Sequence, residues 1–248
     1  MEPKRRKVVF HDPGTSEPAP AGFLERCAEF GVAFDEGDVG TLGRFLALLA
    51  SANKVVNLTA VREPGEAWER HIFDALTLLP LLDGARTVAD VGSGGGVPGL
   101  PLAIVLPEVR FTLVEATAKK AQFLLFAAEK LGLGNVRVEP RRAEELGQDA
   151  AHRGAYDAVV ARAVGRLAVV SELCVPLARE EGGRVLLVKG SKADEELAEG
   201  RQALHKLHAV HAGTVETPTG RVVVLEKSRP TPRIYPRRPG EPKRTPLG

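Results

Sequence analysis

The glycine-rich stretch Asp90-Val-Gly-Ser-Gly-Gly-Gly-Val-Pro-Gly99 lies between a short apolar run, Thr87–Val91, and a helical stretch near residues 98–106. Glycines let backbone N–H groups approach a ligand that any Cβ atom would hold away, and the N-terminus of the following helix favours negative charge. In open α/β sheets, ligands bind at the carboxyl ends of the strands. The stretch therefore predicts a ligand-binding loop.

Short β-rich runs alternate with helical stretches on the C-terminal side of this loop, which predicts a parallel sheet covered on both faces. Two final runs, Val210–Glu216 and Val222–Lys227, are joined only by Thr217-Pro-Thr-Gly-Arg221, which is too short for a crossover helix and predicts an antiparallel hairpin. The other runs are Thr87–Val91, Arg110–Glu115, Val136–Glu139, Tyr156–Ala161 and Arg184–Lys189, with helical stretches near 98–106, 118–131, 166–179 and 192–206.

Four segments follow from these patterns. Residues 21–86 carry apolar side chains at helical spacing and predict a helical cap. Residues 87–228 hold the predicted mostly parallel, seven-stranded α/β sheet. Residues 1–20 are polar and rich in proline, so we expect a flexible arm. Residues 229–248, here called the tail, are basic and rich in proline, and we expect them to be extended.

Charge is unevenly distributed, although the net charge is only +2. Both ends are basic and the body is acidic, so phosphate groups would be met at the ends. No apolar run approaches the roughly 20 residues that a membrane span requires. Cys27 and Cys174 match no metal-ligand spacing. We therefore expect a cytoplasmic protein without a bound metal, and neither a membrane nor DNA as a partner.

Two glycine registers compete in the loop. Gly94-x-Gly96-x-x-Gly99 fits the dinucleotide fingerprint of an NAD-dependent oxidoreductase, whereas Asp90-x-Gly92-x-Gly94-x-Gly96 fits the acidic-then-glycine loop of S-adenosylmethionine enzymes. An acidic residue is poorly placed beside a pyrophosphate, and a hairpin stands where a second nucleotide-binding half would follow. The second register is favoured, and with it a Rossmann-like class I methyltransferase fold.

Charged side chains follow several strands, where they would line the ligand crevice. Glu115 could accept both ribose hydroxyls of a cofactor, or place a negative charge at the next helix. Ala143 and Glu144 follow the third strand and would meet the adenine edge. Arg162 and Lys189 end the fourth and fifth strands, with structural salt bridges as the alternative for both.

Several motifs jointly resemble the bacterial glucose-inhibited division protein B family, over roughly residues 40–248. These motifs are Asn53-Lys-Val-Val-Asn-Leu-Thr59, Arg70-His-Ile-Phe-Asp-Ala75, residues 90–102, Tyr156-Asp-Ala-Val-Val-Ala-Arg-Ala163, Leu187-Val-Lys-Gly190 and Ile234-Tyr-Pro-Arg-Arg-Pro-Gly240. The resemblance implies methylation of N7 of guanine 527, in a 16S rRNA loop near the decoding site, with 16S rRNA or the small ribosomal subunit as partner.

The resemblance and the loop together give a set of expected S-adenosyl-L-methionine contacts. Glu115-Ala-Thr117 departs from the acid-then-Ser pattern of many relatives, so the finer contacts after Glu115 stay open. The expected cofactor-binding residues are Asp90, Gly92, Gly94, Gly96, Val97, Glu115, Ala116, Thr117, Ala143, Glu144 and Arg162.

Catalytic and RNA-binding candidates lie mainly outside the glycine loop. Asp74 and Lys189 are the catalytic candidates; Asp74 could stabilise positive charge developing on the purine. Alternatively, Arg70, His71 and Asp74 form an ion pair that holds the cap against the sheet. A non-catalytic RNA-binding module is the third functional alternative. The RNA-binding candidates are Asn57, Arg70, His71, Arg237, Arg238, Lys243 and Arg244.

Overall fold

One mixed sheet forms the centre of the molecule in a computed structural model, which describes residues 8–248. Its strand order is β3-β2-β1-β4-β5-β7-β6. The strands are β1 (Thr87–Val91), β2 (Arg110–Val114), β3 (Val136–Glu139), β4 (Ala158–Arg162), β5 (Arg184–Lys189), β6 (Ala209–Thr217) and β7 (Gly220–Lys227). Strands β1 to β5 are parallel, and β7 is antiparallel to both β5 and β6. The expected parallel sheet with a terminal hairpin is confirmed.

The hairpin is tighter than the sequence indicated, because β6 and β7 pair until only Pro218 and Thr219 remain between them. At the fourth strand, Tyr156 makes an isolated bridge to Ala178 and the strand itself begins at Ala158. The intervening Asp157 turns its carboxylate to the backbone and hydroxyl of Thr87.

Helices cover both faces of the sheet. No helix of the described chain is long and apolar enough to cross a membrane. The helices are α1 (Phe23–Glu29), α2 (Asp38–Ala52), α3 (Pro64–Ala67), a π-helical stretch Trp68–Phe73, α4 (Asp74–Leu76), a 3-10 turn Leu79–Leu82, α5 (Gly99–Val105), α6 (Ala118–Leu131), α7 (Ala143–Gln148), α8 (Leu167–Cys174), α9 (Ala193–Glu199), α10 (Arg201–Leu207) and α11 (Glu241–Arg244).

Two expected helices differ from the prediction. The stretch expected at 166–179 ends at Cys174, two residues before Pro176, which has no N–H to continue the hydrogen-bond ladder. The stretch expected at 192–206 is divided at Gly200 into α9 and α10. A Cβ atom at Gly200 would lie 2.5 Å from the Leu167 side chain, so α8 packs closely against this position.

The sheet separates two apolar cores, because side chains of a strand alternate between its faces. On β5, Leu186 belongs to one core and Leu187 to the other. The cap helices share the first core with the sheet: Phe45 of α2 and Trp68 are fully buried there together with Val88 of β1. Residues 21–86 are therefore packed onto one sheet face as part of the same core.

The expectation of a flexible arm is wrong for residues 8–20, which the structure places against the body. Phe10 packs edge-on against Phe123 of α6, with ring centroids 5.7 Å apart. The Glu17 N–H donates to the Gly43 carbonyl at 3.1 Å. Apolar and backbone contacts thus outweigh the polar composition of this segment. The basic cluster at residues 4–7 lies outside the described residues.

The tail also differs from the extended segment we expected. Tyr235 and Leu247 are buried in the second core, and the short helix α11 lies against α8. The Arg237 guanidinium forms an ion pair with Glu172, whose side chain is completely buried in α8. The Arg237 guanidinium is therefore engaged by Glu172, and its expected role as a phosphate contact is corrected.

Candidate active site

The loop after β1 requires glycine at three positions for different reasons. Gly92, Gly94 and Gly96 all have φ in the left-handed region, at 75°, 54° and 87°. A Cβ atom on Gly92 or Gly96 would collide with Val164 at 2.8 Å or Leu100 at 2.4 Å. A Cβ atom on Gly94 would meet only the Gly92 carbonyl, at 3.7 Å, so the space in front of Gly94 is open. Neighbouring side chains therefore fill the space at Gly92 and Gly96, whereas the space at Gly94 is open.

Asp90 fastens the far end of this loop to helix α5. Its side chain is buried, and Oδ2 accepts the Gly99 N–H at 3.1 Å. Burial raises the pKa of Asp90 to about 7, against the lowering effect of the Gly99 hydrogen bond. Its Oδ1 atom is buried without a hydrogen-bond partner in the described chain. Such an orphaned acceptor is costly, and Asp90, an expected cofactor-binding residue, lines none of the cavities at the carboxyl ends of the strands.

Glu115, just after β2, connects the second strand to the glycine loop. Its buried carboxylate accepts the Gly94 N–H on Oε2 at 3.0 Å and the Thr117 N–H on Oε1 at 2.6 Å. Each oxygen keeps a second lone pair, so the carboxylate remains able to accept two hydroxyl groups. The Thr117 side chain is exposed at the start of α6, and Ala116 is exposed beside Glu115.

Three adjoining cavities follow the carboxyl ends of the strands. The first, here the apolar cavity, has a volume of about 190 Å³, and Glu115 and Glu144 are its acidic residues. Glu144 is buried at the start of α7 and accepts the Gly240 N–H on Oε1 at 2.8 Å. The apolar side chains that line it are Val91, Val114, Ala116, Ala143, Val164, Val169, Leu173 and Pro242.

The second cavity, here the loop cavity, also has a volume of about 190 Å³ and shares Gly92 with the apolar cavity. Its walls include Gly94, Val97 and Arg162. Gly96 does not line it, because this residue is buried against Leu100 and Leu124. The two cavities therefore adjoin at Gly92 of the glycine loop.

The third cavity, here the polar cavity, has a volume of about 550 Å³ and shares Arg162 and His71 with the loop cavity. Arg70, Asp74 and Lys189 complete the sequence-predicted residues that line it. Helical cap, sheet and hairpin all contribute to this cavity, so it exists only in the folded chain.

Arg162 forms hydrogen bonds to several residues around the polar cavity. Its Nη1 donates to Asp74 Oδ2 at 2.6 Å and to the Arg70 carbonyl oxygen. Thr219, in the hairpin turn, donates its hydroxyl to Asp74 Oδ1 at 2.5 Å. Both oxygens of Asp74 are engaged, and its charge is balanced by Arg162 rather than facing the cavity alone. The ion-pair alternative for Asp74 is what the structure shows, with Arg162 as partner instead of Arg70.

His71 is held in one tautomer by its two neighbours. Arg162 has only donors, so its Nη2 donates to Nδ1 at 3.2 Å and leaves the proton on Nε2, which donates to Thr59 Oγ1 at 2.9 Å. Burial, followed by the charge of Arg162, lowers the pKa of His71 to about 4. A neutral imidazole therefore stands beside the guanidinium. Arg70 is exposed and pairs with Glu66 at 2.9 Å.

Lys189, at the end of β5, is held on the opposite wall. Its ammonium donates to Glu196 Oε2 at 2.7 Å and to the Gly165 carbonyl at 2.6 Å. One N–H bond of the ammonium has no partner in the described chain. A structural salt bridge is thus present, and it also aims Lys189 along the cavity wall.

The RNA-binding candidates do not form one cluster. Asn57 is exposed and lines none of the three cavities. Arg238, Lys243 and Arg244 are exposed and form no ion pair within residues 8–248. Lys243 lines the apolar cavity.

Comparison with known proteins decides the family. A family model described as rRNA small subunit methyltransferase G matches residues 39–223. The chain belongs to the rRNA small subunit methyltransferase G family. A ribosomal RNA small subunit methyltransferase G from Sorangium cellulosum is 52% identical over 223 residues, covering 88% of this chain and 92% of the relative. The protein of the same name from Rubrobacter xylanophilus is 41% identical over 240 residues, covering 92% and 91%.

Solved structures with the same fold are more distant in sequence. An O-methyltransferase from Bacillus cereus in complex with SAH has a TM-score of 0.56 at 18% identity, covering 82% of this chain and 96% of its own. Cofactor-bound Rv0187 from MTB has a TM-score of 0.54 at 18% identity, covering 82% and 95%. At this identity the likeness concerns the fold alone, which is that of class I methyltransferases.

In this member of the rRNA small subunit methyltransferase G family, sequence patterns missed two polar contributors to the site. Thr219 lies in a hairpin turn, where threonine is unremarkable, and reaches Asp74 across 145 residues of sequence. Thr59 ends one of the family-like motifs, and its contact with His71 depends on how the cap folds. The only sequence signal for Thr59 was its place in a family-like motif. Thr219 had no such signal.

Proposed function

We propose that this protein transfers a methyl group from S-adenosyl-L-methionine to N7 of a guanine in 16S rRNA, guanine 527 by family resemblance. The observation that carries the proposal is the row of three cavities along the carboxyl ends of the strands. An apolar cavity with two carboxylates adjoins the loop cavity at Gly92, and the loop cavity adjoins a larger polar cavity at His71 and Arg162. Membership of the rRNA small subunit methyltransferase G family supplies the class of substrate.

The residues present fit S-adenosylmethionine. Glu115 would accept the ribose hydroxyls, and Glu144 would accept the adenine amine inside the apolar cavity. The open space at Gly94 leaves room for the cofactor backbone along the loop cavity. Asp90 would shape the loop beneath the cofactor by accepting the Gly99 N–H. When bound, the cofactor supplies a methyl group, which is electrophilic because it is attached to a positively charged sulfonium sulfur.

Guanine N7 carries a free lone pair and no proton, so methylation there needs no general base. The neutral, doubly hydrogen-bonded His71 agrees with a site that holds groups in place instead of moving protons. Rate enhancement would come from placing the nucleophile in line with the methyl group, which contributes up to roughly 7–11 kcal/mol in favourable systems.

The polar cavity offers donors for the substrate base. Lys189 and Arg162 each keep N–H groups that no described residue accepts, and guanine O6 is an acceptor adjacent to N7. Asp74 acts as the positioning residue for Arg162, since it holds the guanidinium from the side of the cap. The guanine must be unpaired to enter, as bases in RNA loops are.

Incubation with methyl-labelled S-adenosylmethionine and unmethylated small ribosomal subunits or 16S rRNA tests the proposal. Digestion to nucleosides should give the label in 7-methylguanosine. A Gly94→Val variant is the negative control, because a branched side chain would fill the loop cavity. Label in another nucleoside, or binding of NAD instead of S-adenosylmethionine by calorimetry, would overturn the proposal.

A further inference from the structure

The tail is fastened to the domain by a buried ion pair. Glu172 is fully buried on α8, and three donors of Arg237 reach it: the backbone N–H at 2.9 Å, Nε at 2.8 Å and Nη2 at 2.6 Å. A buried carboxylate without its partner is strongly destabilising. The position of Arg237 is therefore tightly determined.

Further side chains of the domain hold the tail by its backbone. The Arg153 guanidinium donates to the carbonyl oxygens of Thr231 and Tyr235, each at 2.7 Å. Gln148 Nε2 donates to the Pro236 carbonyl at 2.7 Å. A Cβ atom at Gly147 would lie 2.7 Å from the Pro236 ring, so α7 and the tail are in direct contact. The tail thus follows one path across α7 and α8.

This path brings the tail to the apolar cavity, where Gly240, Pro242 and Lys243 form part of the wall. The Gly240 N–H donates to Glu144 Oε1, whereas Oε2 accepts no hydrogen bond within residues 8–248. Gly240 adopts a φ of 80°, a conformation that turns the chain towards Glu144 and suits glycine. One carboxylate oxygen is fixed and the other is left for a ligand.

We propose that the tail is a structural wall of the cofactor site and that Gly240 is a positioning residue, which orients Glu144 to accept the exocyclic amine of adenine. This inference rests on the proposed function, in which the adenosine of S-adenosylmethionine occupies the apolar cavity. An oriented carboxylate distinguishes an amine donor from a carbonyl acceptor at the same ring position. The tail therefore contributes selectivity for adenine over a 6-oxo purine.

A variant that ends at Pro239 tests the inference, because it keeps Arg237 and Tyr235 but removes Gly240, Pro242 and Lys243. Calorimetry would measure its affinity for S-adenosylhomocysteine and for S-inosylhomocysteine, which carries a carbonyl in place of the amine. We expect affinity for the adenosine ligand to fall about tenfold or more and affinity for the inosine ligand to fall less, because loss of the wall weakens both and loss of the Gly240 hydrogen bond weakens only the first. The Ile234→Ser control alters a tail residue that is 68% exposed and outside the cavity, and should leave both affinities unchanged.

Unchanged affinities in the shortened variant, or an equal loss for both ligands, would overturn the positioning role. Failure of the full-length protein to bind S-adenosylhomocysteine would instead overturn the proposed function, and this inference with it.

Hydrogen exchange on the full-length protein covers the case in which the shortened variant fails to fold. Saturation with S-adenosylhomocysteine should slow exchange in residues 237–248 about tenfold or more, because the ligand covers the wall that they form. Exchange in residues 209–216 of β6, which line none of the three cavities, is the internal control for a general stabilisation. Equal slowing of both segments, or none in the tail, would contradict the inference.

Discussion

At the residue scale, the Glu115 carboxylate accepts the Gly94 N–H, and we propose that it also accepts the ribose hydroxyls of the cofactor. We expect Glu115→Ala to weaken S-adenosylmethionine binding by about 1–3 kcal/mol, because the ribose hydroxyls would no longer donate to a charged acceptor. Calorimetric titration gives the affinity, and circular dichroism checks the fold. The control is Glu108→Ala, which removes an exposed carboxylate before β2, at the opposite ends of the strands. Equal affinity in the Glu115 variant and the parent would place Glu115 outside the site.

The environment of His71 predicts how the free energy of unfolding depends on pH. Its pKa is lowered from its ordinary value of 6.5 to about 4, so the unfolded chain binds a proton more readily than the folded chain. The stabilisation from the neutral side chain is complete above about pH 6.5 and is lost as pH falls towards 4. This contribution to the free energy of unfolding is about 3 kcal/mol.

Denaturant unfolding of the parent and of His71→Gln between pH 7 and pH 4 measures this contribution. The advantage of the parent should shrink over that interval. Asp90, whose pKa burial raises to about 7, has the opposite pH dependence but is present in both proteins. A constant difference between the two proteins would show that His71 titrates normally.

At the element scale, a substitution in the glycine loop has two possible effects, which are backbone strain and loss of space for the ligand, and two variants distinguish them. We expect Gly94→Val to abolish cofactor binding while the protein stays folded, since the open space in front of Gly94 would be filled. Gly84→Val is matched in strain, because Gly84 also has a positive φ and open surroundings, but it precedes β1 at the other edge. Retained binding in the Gly94 variant, or equal loss in both, would reduce the loop to a tight turn.

Elements with strong local patterns could be predicted from the sequence. The bounds of β1, β3, β5 and α6 agree with the apolar runs and helical spacing, because each such element shows its buried face in its own residues. The close packing of Leu167 against Gly200 could not be predicted, since Leu167 lies on a neighbouring helix. Local periodicity carries no information about such close approaches.

The candidate site also contains residues that could be predicted from the sequence and residues that could not. Glu115, Glu144 and Arg162 could be placed at the crevice because they directly follow strands or begin the next helix. Arg237 was misjudged because its partner Glu172 lies 65 residues away on α8, inside an otherwise apolar sequence. Composition describes a basic, proline-rich segment equally well whether its arginine is solvated or buried against a carboxylate.

At the scale of the whole molecule, the proposed function requires RNA to reach the polar cavity on a chain whose net charge is only +2. Arg238, Lys243 and Arg244 remain as the exposed basic residues of the tail that we expect to contact phosphates. Neutralising all three should weaken RNA binding. It should also reduce the slope of log affinity against log salt by roughly 0.7–0.9 for each phosphate that the variant no longer neutralises.

A salt series of RNA-binding measurements on this triple variant gives the slope. The matched control is Arg110→Ala, which removes an exposed basic side chain at the start of β2, at the strand ends opposite the cavities. An unaltered slope in the triple variant, together with full methylation activity, would remove the tail from RNA binding. Cofactor affinity should be measured in parallel, because Lys243 also lines the apolar cavity.

The central claim is that this fold transfers a methyl group to guanine N7 in rRNA, and replacement of that atom tests it most directly. A 16S rRNA fragment can be assembled with guanine or with 7-deazaguanine, in which a C–H group replaces N7, at the proposed target position. The account predicts stoichiometric transfer from labelled S-adenosylmethionine to the guanine fragment and none to the 7-deazaguanine fragment, with equal binding of both. Equal methylation of the two fragments would contradict it.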